Sequence, residues 1–326
     1  MPSLSPAVAE IRRAVRAVLP DEGTVIVALS GGADSLALAA ATAFEGRARG
    51  LEVRSVTVDH GLQEGSDAVA ARAAAQAADL GIASEVVRVQ IADEPDGPES
   101  AARDARYAAL RKAAVGAQAP VLLAHTLDDQ AETVLLGLGR GSGAASLQGM
   151  APEREDADGA RWLRPLLAVR RETTHAACVD AGLEAWNDPH NSEARFARVR
   201  VRDRVLPVLE AEIGPGIAEA LARTAEQLRE DAEAFDEMIH ETIEDIVEHA
   251  EAGISVSVAA LAANPPALRN RLIRFVVGSE FGVSLTRVQT LEVARLATDW
   301  SGQGPIDLPG CVARRTGGQI VFTARR

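Results

Sequence analysis

The stretch Val25-Ile-Val-Ala-Leu-Ser-Gly-Gly-Ala-Asp-Ser35 constrains the fold more than any other part of the chain. Val25 to Leu29 is a continuous, largely β-branched apolar run, the pattern of a strand buried on both faces of a parallel sheet. Ser30, Gly31 and Gly32 break the run. Ala33, Asp34 and Ser35 follow, and Leu36 to Phe44 reads as an Ala/Leu-rich helix. A strand that passes through a glycine turn into a helix N-terminus presents unpaired backbone N–H groups and the positive end of the helix dipole, and so forms an anion site. The glycines let the backbone approach an oxyanion with no Cβ in the way. The commoner phosphate loop, which ends in Gly-Lys-Ser/Thr, is absent, and no lysine lies here. Ser30 and Ser35 offer hydroxyls, and Asp34 a carboxylate able to hold a Mg²⁺ that bridges phosphates. Asp34 is equally a good N-cap for the helix that follows.

Downstream, strands alternate with helices. Ala7–Val18 reads as a first helix, Glu52–Val58 as a strand ending in Asp59-His60, Ser66–Leu80 as a helix and Glu85–Val89 as a strand. After a loop at Asp93–Pro98 come a long helix over Glu99–Val115, a buried strand over Pro120–Ala124 that runs into His125, and a helix over Asp128–Leu138. This alternation predicts an α/β fold, a doubly wound parallel sheet. In such sheets ligands sit beyond the carboxyl ends of the strands. Ser30–Ser35, Asp59–His60 and His125–Glu132 all fall at those ends, so three polar clusters converge on one crevice.

Met150–Gly159 reads as an exposed segment, Arg171–Ala181 as a helix, and Trp186–Asn191 as a turn. Phe196–Leu209 reads as a helix with Arg195, Arg198 and Arg202 in one row and Arg200 and Arg204 beside it. The composition shifts near Gly214-Pro-Gly216, which divides the chain into a first domain over 1–208 and a second, mainly helical domain over 209–326. The second opens with an acidic helix over Ile217–Glu251. A strand near Ile254–Val258, helices around Pro266–Phe275 and Thr286–Thr298, and strands near Ile306–Leu308, Cys311–Arg314 and Gln319–Thr323 complete it.

A net charge of −13 weighs against a polyanionic partner, but its distribution matters more: from Arg161 to Arg204 nine arginines face six acids. Aromatic residues make up only 3%, too few for a base-stacking platform. Two distant cysteines, Cys178 and Cys311, exclude a disulfide framework, a zinc ribbon or a cysteine-held cluster. No apolar leader segment and no 18-residue apolar run is present, which predicts a cytoplasmic protein with no membrane partner.

The Ser-Gly-Gly-x-Asp-Ser string resembles the pyrophosphate loop (PP-loop) of the N-type ATP pyrophosphatases, which split ATP between the α and β phosphates. Within them the chain resembles the tRNA(Ile)-lysidine synthetases along nearly its whole length. The matching stretches include Asp59-His-Gly-Leu62, Glu99-Ser-Ala-Ala-Arg-Asp-Ala-Arg-Tyr107 and Ala124-His-Thr-Leu-Asp-Asp-Gln-Ala-Glu-Thr133, then Arg140-Gly-Ser-Gly143, Arg164-Pro-Leu-Leu167 and Asn187-Asp-Pro-His-Asn191. The resemblance implies that ATP with Mg²⁺ adenylates the C2 oxygen of the wobble cytidine in a CAU anticodon of tRNA(Ile). Free lysine then displaces AMP. It further implies Mg²⁺ on Asp34, with Asp129 beside it, and Arg103 or Arg106 against the α-phosphate or the C2 oxygen region. His125 would bond phosphate or assist proton transfer. Asp129 and Glu132, on one helical face, would meet the lysine ammonium or accept its proton, although acids in a first helical turn also complement the dipole. Asp59 and His60 either border the adenosine or serve the fold. Arg140, Arg195, Arg198, Arg200 and Arg202 are candidates for the tRNA backbone, while His175, His190, His240, His249 and Trp300 read as structural. The resemblance leaves a homodimer open, and the further C-terminal domain of long family members is expected to be absent.

Two other readings compete. A thiolase of the same superfamily needs cysteines near the crevice, where the sequence places none. A nucleotide-regulated RNA-binding module without catalysis predicts a broken loop or missing acids, yet Asp34, Asp129 and Glu132 are all present.

Overall fold

The computed structural model describes residues 5–61, 65–90, 98–141, 143–188, 193–250 and 253–325. Leu62, residues 93–97 of the Asp93–Pro98 loop, Ser142 and the Pro189-His190-Asn191 end of its motif lie outside them. The chain forms two compact units that divide between Leu228 and Arg229.

The first unit is built on β1 (Thr24–Ala28), which pairs in parallel with β2 (Glu52–Asp59) on one side and β4 (Val121–Leu122) on the other. With β3 (Ala83–Arg88), β5 (Glu153–Glu155) and β6 (Arg161–Leu163) the sheet order is β3-β2-β1-β4-β6-β5, parallel except at the β5 edge. The strands after β1 build outward to β3, then the chain returns to β4 on the other side of β1. The connections leaving β1 and β4 therefore diverge, and a crevice opens between them.

β1 explains its own apolar run. Val25 and Val27, with Leu29 beyond, pack into a core shared with α1 (Pro6–Val18), α2 (Ala33–Arg49) and α7 (Arg171–Asp180). Ile26 points the other way, to Leu110 and Ala114 of α4 (Pro98–Ala117) and to Val56, Val121 and Trp162. Period-two alternation puts both faces of the strand in an apolar layer. α3 (Ser66–Asp79) packs against β2 and β3.

The sequence reading differs from the structure in three places of this unit. The exposed Met150–Gly159 segment contains the edge strand β5, whose Glu153-Arg154-Glu155 carries no apolar alternation and which Arg161 ties to β6 through Glu153 at 2.6 Å. A four-residue helix, α6 (Ala144–Leu147), follows α5 (Leu127–Gly139). The helix read at Phe196–Leu209 is α8 (Ala197–Arg200), a π turn (Val201–Val205) and α9 (Leu206–Glu212). Pro207 lacks the N–H that an α-helix would use at that point, and the wider turn absorbs the mismatch.

α10 (Ile217–Ile246) spans the division between the units. The acidic helix thus ends before Glu251: Val247–Ala250 forms β7, paired antiparallel with β8 (Gly253–Ser257). In the second unit a five-stranded antiparallel sheet has the order β7-β8-β11-β10-β9, with β9 Ile306–Leu308, β10 Cys311–Thr316 and β11 Gln319–Ala324. Its core joins Ile320 and Phe322 of the sheet to α11 (Val258–Ala263), α12 (Pro266–Phe281) and α13 (Arg287–Thr298) through Leu261, Leu272, Ile273 and Val293. No helix among the described residues is long and apolar enough to cross a membrane.

Candidate active site

The loop after β1 is closed from within. Ser35 Oγ accepts from Ser30 N at 3.2 Å and from Ser30 Oγ at 3.1 Å, and donates to Gly32 O at 2.9 Å. Gly31 takes φ 83°, where a side chain is strained, and a Cβ there would lie 3.3 Å from that of Ala73. Its carbonyl accepts from Trp186 N at 2.9 Å. Gly32 is the N-cap of α2, and no side chain caps the helix. The first turn therefore keeps its donors for an anion. Asp34 is not the cap but stands inside that turn.

A cleft of about 390 Å³ opens at this point, at the carboxyl ends of β1, β2 and β4. Ser30, Gly32, Asp34 and Ser35 line one side; Asp59, His60, Arg106, Tyr107, His125, Trp186 and Asp188 line others, over a largely apolar floor that includes Val56, Leu110 and Leu123. Of the three clusters expected to converge, Ser30–Ser35 and Asp59–His60 meet in this cavity, but the third contributes His125 alone, and Asp129 and Glu132 lie outside its lining. Asp59 is buried, accepts from Gly61 N at 3.0 Å, and is held below the usual carboxylate range by Ser66, Gly61 and Arg88 against the cost of burial. Nδ1 of both His60 and His125 is buried with no hydrogen-bond partner among the described residues. Burial and the nearby Arg106 push the His60 pKa down. His125 falls to about 3, through burial first and then Arg164, Arg106 and Arg198, against the pull of Asp129. Both rings are neutral near pH 7.

The two candidate arginines of α4 part company. Arg106 lines the cleft, and burial, Arg103 and Arg198 lower its pKa. Arg103 is exposed, outside the cleft lining, with its guanidinium 5.1 Å from the Tyr107 ring centroid.

α5 starts in a capping box. Asp129 Oδ2 accepts from Thr126 N at 2.8 Å and Oγ1 at 3.0 Å, and Thr126 Oγ1 accepts from Asp129 N at 3.4 Å. Asp129 Oδ1 receives Arg171 Nη2 at 2.7 Å. Glu132, one turn on, is fully buried: Oε1 receives Arg171 Nη1 at 3.0 Å and Oε2 lies 3.1 Å from Arg198 Nε. Burial pushes the Glu132 carboxyl up against the pull of Arg171. Asp129 stays below its usual range because Arg171, the Thr126 N–H and His125 outweigh burial. Asp34 Oδ2 lies 3.9 Å from Arg171 Nε, and Asp34 Oδ1 accepts from Thr174 Oγ1. Burial still pushes the Asp34 carboxyl up.

Arg171 is thus the residue that sequence reasoning missed. It opens α7, far in sequence from its partners, and no local spacing marks it. The one available signal was physical: acids at Asp34, Asp129 and Glu132 converging on a crevice require a buried cation.

A divalent ion fits Asp34, a cleft-facing carboxylate whose burial disfavours its charge and which suits a hard cation taking its other ligands from phosphate and water. It fits Asp129 less well, because both oxygens are engaged and the residue does not line the cleft. Among the described residues no group of three or more His, Cys, Asp or Glu side chains is arranged to hold a metal.

The arginines offered to RNA also separate. Arg140, Arg195 and Arg200 are exposed, Arg195 paired with Glu193 at 2.6 Å and Arg200 donating to the carbonyls of Ala194 and Arg195. Arg202 is half-buried and pairs with Asp203 at 2.9 Å. Arg198 turns inward instead, to Glu132 and to Thr133 Oγ1 at 2.7 Å.

Comparison with known proteins meets this geometry. The PP-loop domain family matches residues 6–209, and the family described as the TilS substrate binding domain matches 257–321. A tRNA(Ile)-lysidine synthase of Leifsonia xyli subsp. xyli is 57% identical over 300 residues, 91% of this chain and 89% of that protein. One from Salinispora tropica is 50% identical over 97% of each. The chain belongs to the tRNA(Ile)-lysidine synthase family. Membership makes it a ligase built on an ATP-using PP-loop domain. Among solved structures, the U34-tRNA thiolase NcsA of Methanococcus maripaludis, described with its 4Fe–4S cluster, superposes with a TM-score of 0.58. It is 20% identical and covers 69% of this chain and 80% of that one, a likeness of fold alone. This lysidine synthase family member has two cysteines in all, Cys178 and Cys311, both buried and in separate units.

Proposed function

We propose that this chain joins free lysine to C2 of the wobble cytidine in the CAU anticodon of tRNA(Ile), in two steps. In the first, the cytidine C2 oxygen attacks the α-phosphorus of ATP and pyrophosphate leaves, which turns a poor leaving group into an AMP ester. In the second, the lysine ε-amine attacks C2, AMP leaves with the former C2 oxygen, and the amine gives up its proton. The product is lysidine, which shifts codon reading from AUG to AUA and charging from methionine to isoleucine. The substrate places the enzyme in the cytoplasm.

One observation carries this reading. The pyrophosphate loop and the acids of α5 lie within the reach of one guanidinium, so a phosphate half-site and a cation half-site adjoin. In it, the Ser30–Ser35 loop and the first turn of α2 cradle the ATP phosphates. Asp34 holds Mg²⁺, which when bound neutralises phosphate charge. Asp59 and His60 border the nucleoside. Arg106, rather than the exposed Arg103, faces the α-phosphate, where charge builds. Neutral His125 offers a hydrogen bond, not a positive charge. The negative field of Asp129 and Glu132, whose oxygens Arg171 and Arg198 hold, draws the lysine ammonium toward the cleft, and the pair takes up its proton. Arg140, Arg195, Arg200 and Arg202 serve the RNA backbone.

The test is incubation with ATP, Mg²⁺, radiolabelled lysine and an unmodified CAU-anticodon isoleucine tRNA. Label that survives mild base and maps to the wobble cytidine supports the reading, and Asp34→Ala abolishes it. Release of AMP that depends on tRNA, without label in the tRNA, rejects lysine as the nucleophile.

A further inference from the structure

The geometry points to Arg171 as a positioning residue that fixes the phosphate half-site and the α5 acids in register. The naming of the two halves rests on the proposed function, and the inference deepens it. One guanidinium addresses three carboxylates from two elements: Nη2 to Asp129 at 2.7 Å, Nη1 to Glu132 at 3.0 Å, and Nε toward Asp34 at 3.9 Å. The backbone joins in, because Arg171 N donates to Asp128 Oδ2 at 2.7 Å. One turn on, Thr174 Oγ1 reaches Asp34 Oδ1 and lies 2.7 Å from the Arg171 carbonyl. The first turn of α7 is therefore a clamp. One arm grips the N-terminus of α5, and the other grips the acid of the loop.

The clamp is stiff because its partners have nowhere else to turn. The Glu132 side chain is 1% exposed, and its second oxygen faces Arg198. The second oxygen of Asp129 is locked into the capping box. Swinging Arg171 away strands buried charge, which is costly. A guanidinium suits the task where an ammonium does not. Its planar fork meets two carboxylates at once with a third donor directed elsewhere, whereas lysine is a point charge on a flexible stem. The proposal thus concerns geometry beyond charge balance, and the two can be separated.

The experiment compares Arg171→Lys, Thr174→Val and the wild-type chain, with Arg170→Lys as a neighbouring control. Arg170 pairs with Asp128 at 3.2 Å and Glu219 at 2.7 Å and does not line the cleft. Thermal melting is read first, then pyrophosphate release dependent on tRNA, then lysine transfer. Arg171→Lys keeps the buried charge compensated and melts near the wild type. Its kcat for pyrophosphate release falls about 10–100-fold while the KM for ATP stays within about twofold, as misplacement of a site without loss of binding requires. Thr174→Val alters no charge and shows the same split, and it carries the test alone if Arg171→Lys does not fold. Arg170→Lys changes neither step. Wild-type kcat in a folded Arg171→Lys, or in Thr174→Val, overturns the proposal and leaves Arg171 as charge compensation. A fall in the lysine KM in Arg171→Lys also overturns it, since Arg171 would then compete for the acids rather than place them. If the wild-type chain releases pyrophosphate but transfers no lysine, the functional reading fails, while the comparison of pyrophosphate release still decides the role of Arg171.

Discussion

Arg103 and Arg106 sit three residues apart on α4, yet only Arg106 lines the cleft. Among the described residues no carboxylate is paired with it, and burial lowers its pKa. A cation held in that state gains most when phosphate charge grows beside it. Arg106→Ala should reduce kcat for adenylation by about 100-fold with a smaller rise in KM, whereas Arg103→Ala should stay within about threefold of the wild type. Steady-state rates of pyrophosphate release check the pair, and equal losses would reject the assignment. His125 yields a prediction on stability. Its folded pKa of about 3 lies below the ordinary value near 6.5. As pH falls from about 6.5 toward 3 the unfolded chain takes up a proton that the native ring refuses, so stability falls across that window. Above about pH 7 the ring contributes no slope. His125→Gln should therefore lose less stability than the wild type between about pH 8 and pH 5, as read from urea midpoints. An identical loss in both proteins would mean that the native ring does take up the proton.

At the scale of elements, legibility followed burial. β1 could be read because both its faces are apolar, and the loop after it because glycine, hydroxyl and acid follow in fixed order. α5 could be read from Asp128, one residue inside the start at Leu127 that the Thr126–Asp129 capping box sets. The edge strand β5 could not, since its three residues are exposed and charged and only pairing with β6 makes it a strand. The end of α10 could not either. Val247–Ala250 follows an amphipathic helix without interruption, and the partner β8 decides the switch to β7. For the site, Ser30–Ser35, Asp59–His60 and His125 were legible because strand ends converge. Arg171 and the inward turn of Arg198 were not, since both depend on helices that approach α5 from far along the chain. The β7–β8 hairpin carries its own test. Gly253 has φ 157°, and a Cβ there would come within 2.0 Å of Phe322 O, a backbone atom of β11 that cannot give way. Gly253→Ala should cost about 3 kcal/mol of stability, near the upper end for overpacking, with a matching drop in melting temperature. Wild-type melting would mean that β8 and β11 separate freely.

Over the whole molecule, 47 acidic side chains oppose 34 basic ones, and the net charge of −13 repels the RNA that the proposed reaction needs. Association then has to rest on local cations. Lysines and arginines that touch phosphate release counterions, so the logarithm of the binding constant falls with the logarithm of salt concentration in proportion to the number of contacts. Arg140, Arg195 and Arg200 are exposed, whereas Arg198 is committed to Glu132 and Thr133. The two kinds of arginine should separate in a titration of CAU-anticodon tRNA from about 50 to 200 mM salt. Loss of Arg140, Arg195 or Arg200 to alanine should weaken binding and reduce the slope by about one for each residue that meets a phosphate. Arg198→Ala should leave the slope unchanged and depress turnover instead, because it strips one of two cations from a fully buried acid. A slope that falls in Arg198→Ala as it does in Arg200→Ala would show that Arg198 leaves Glu132 for the RNA, and the inward pair would then describe only the state before tRNA arrives.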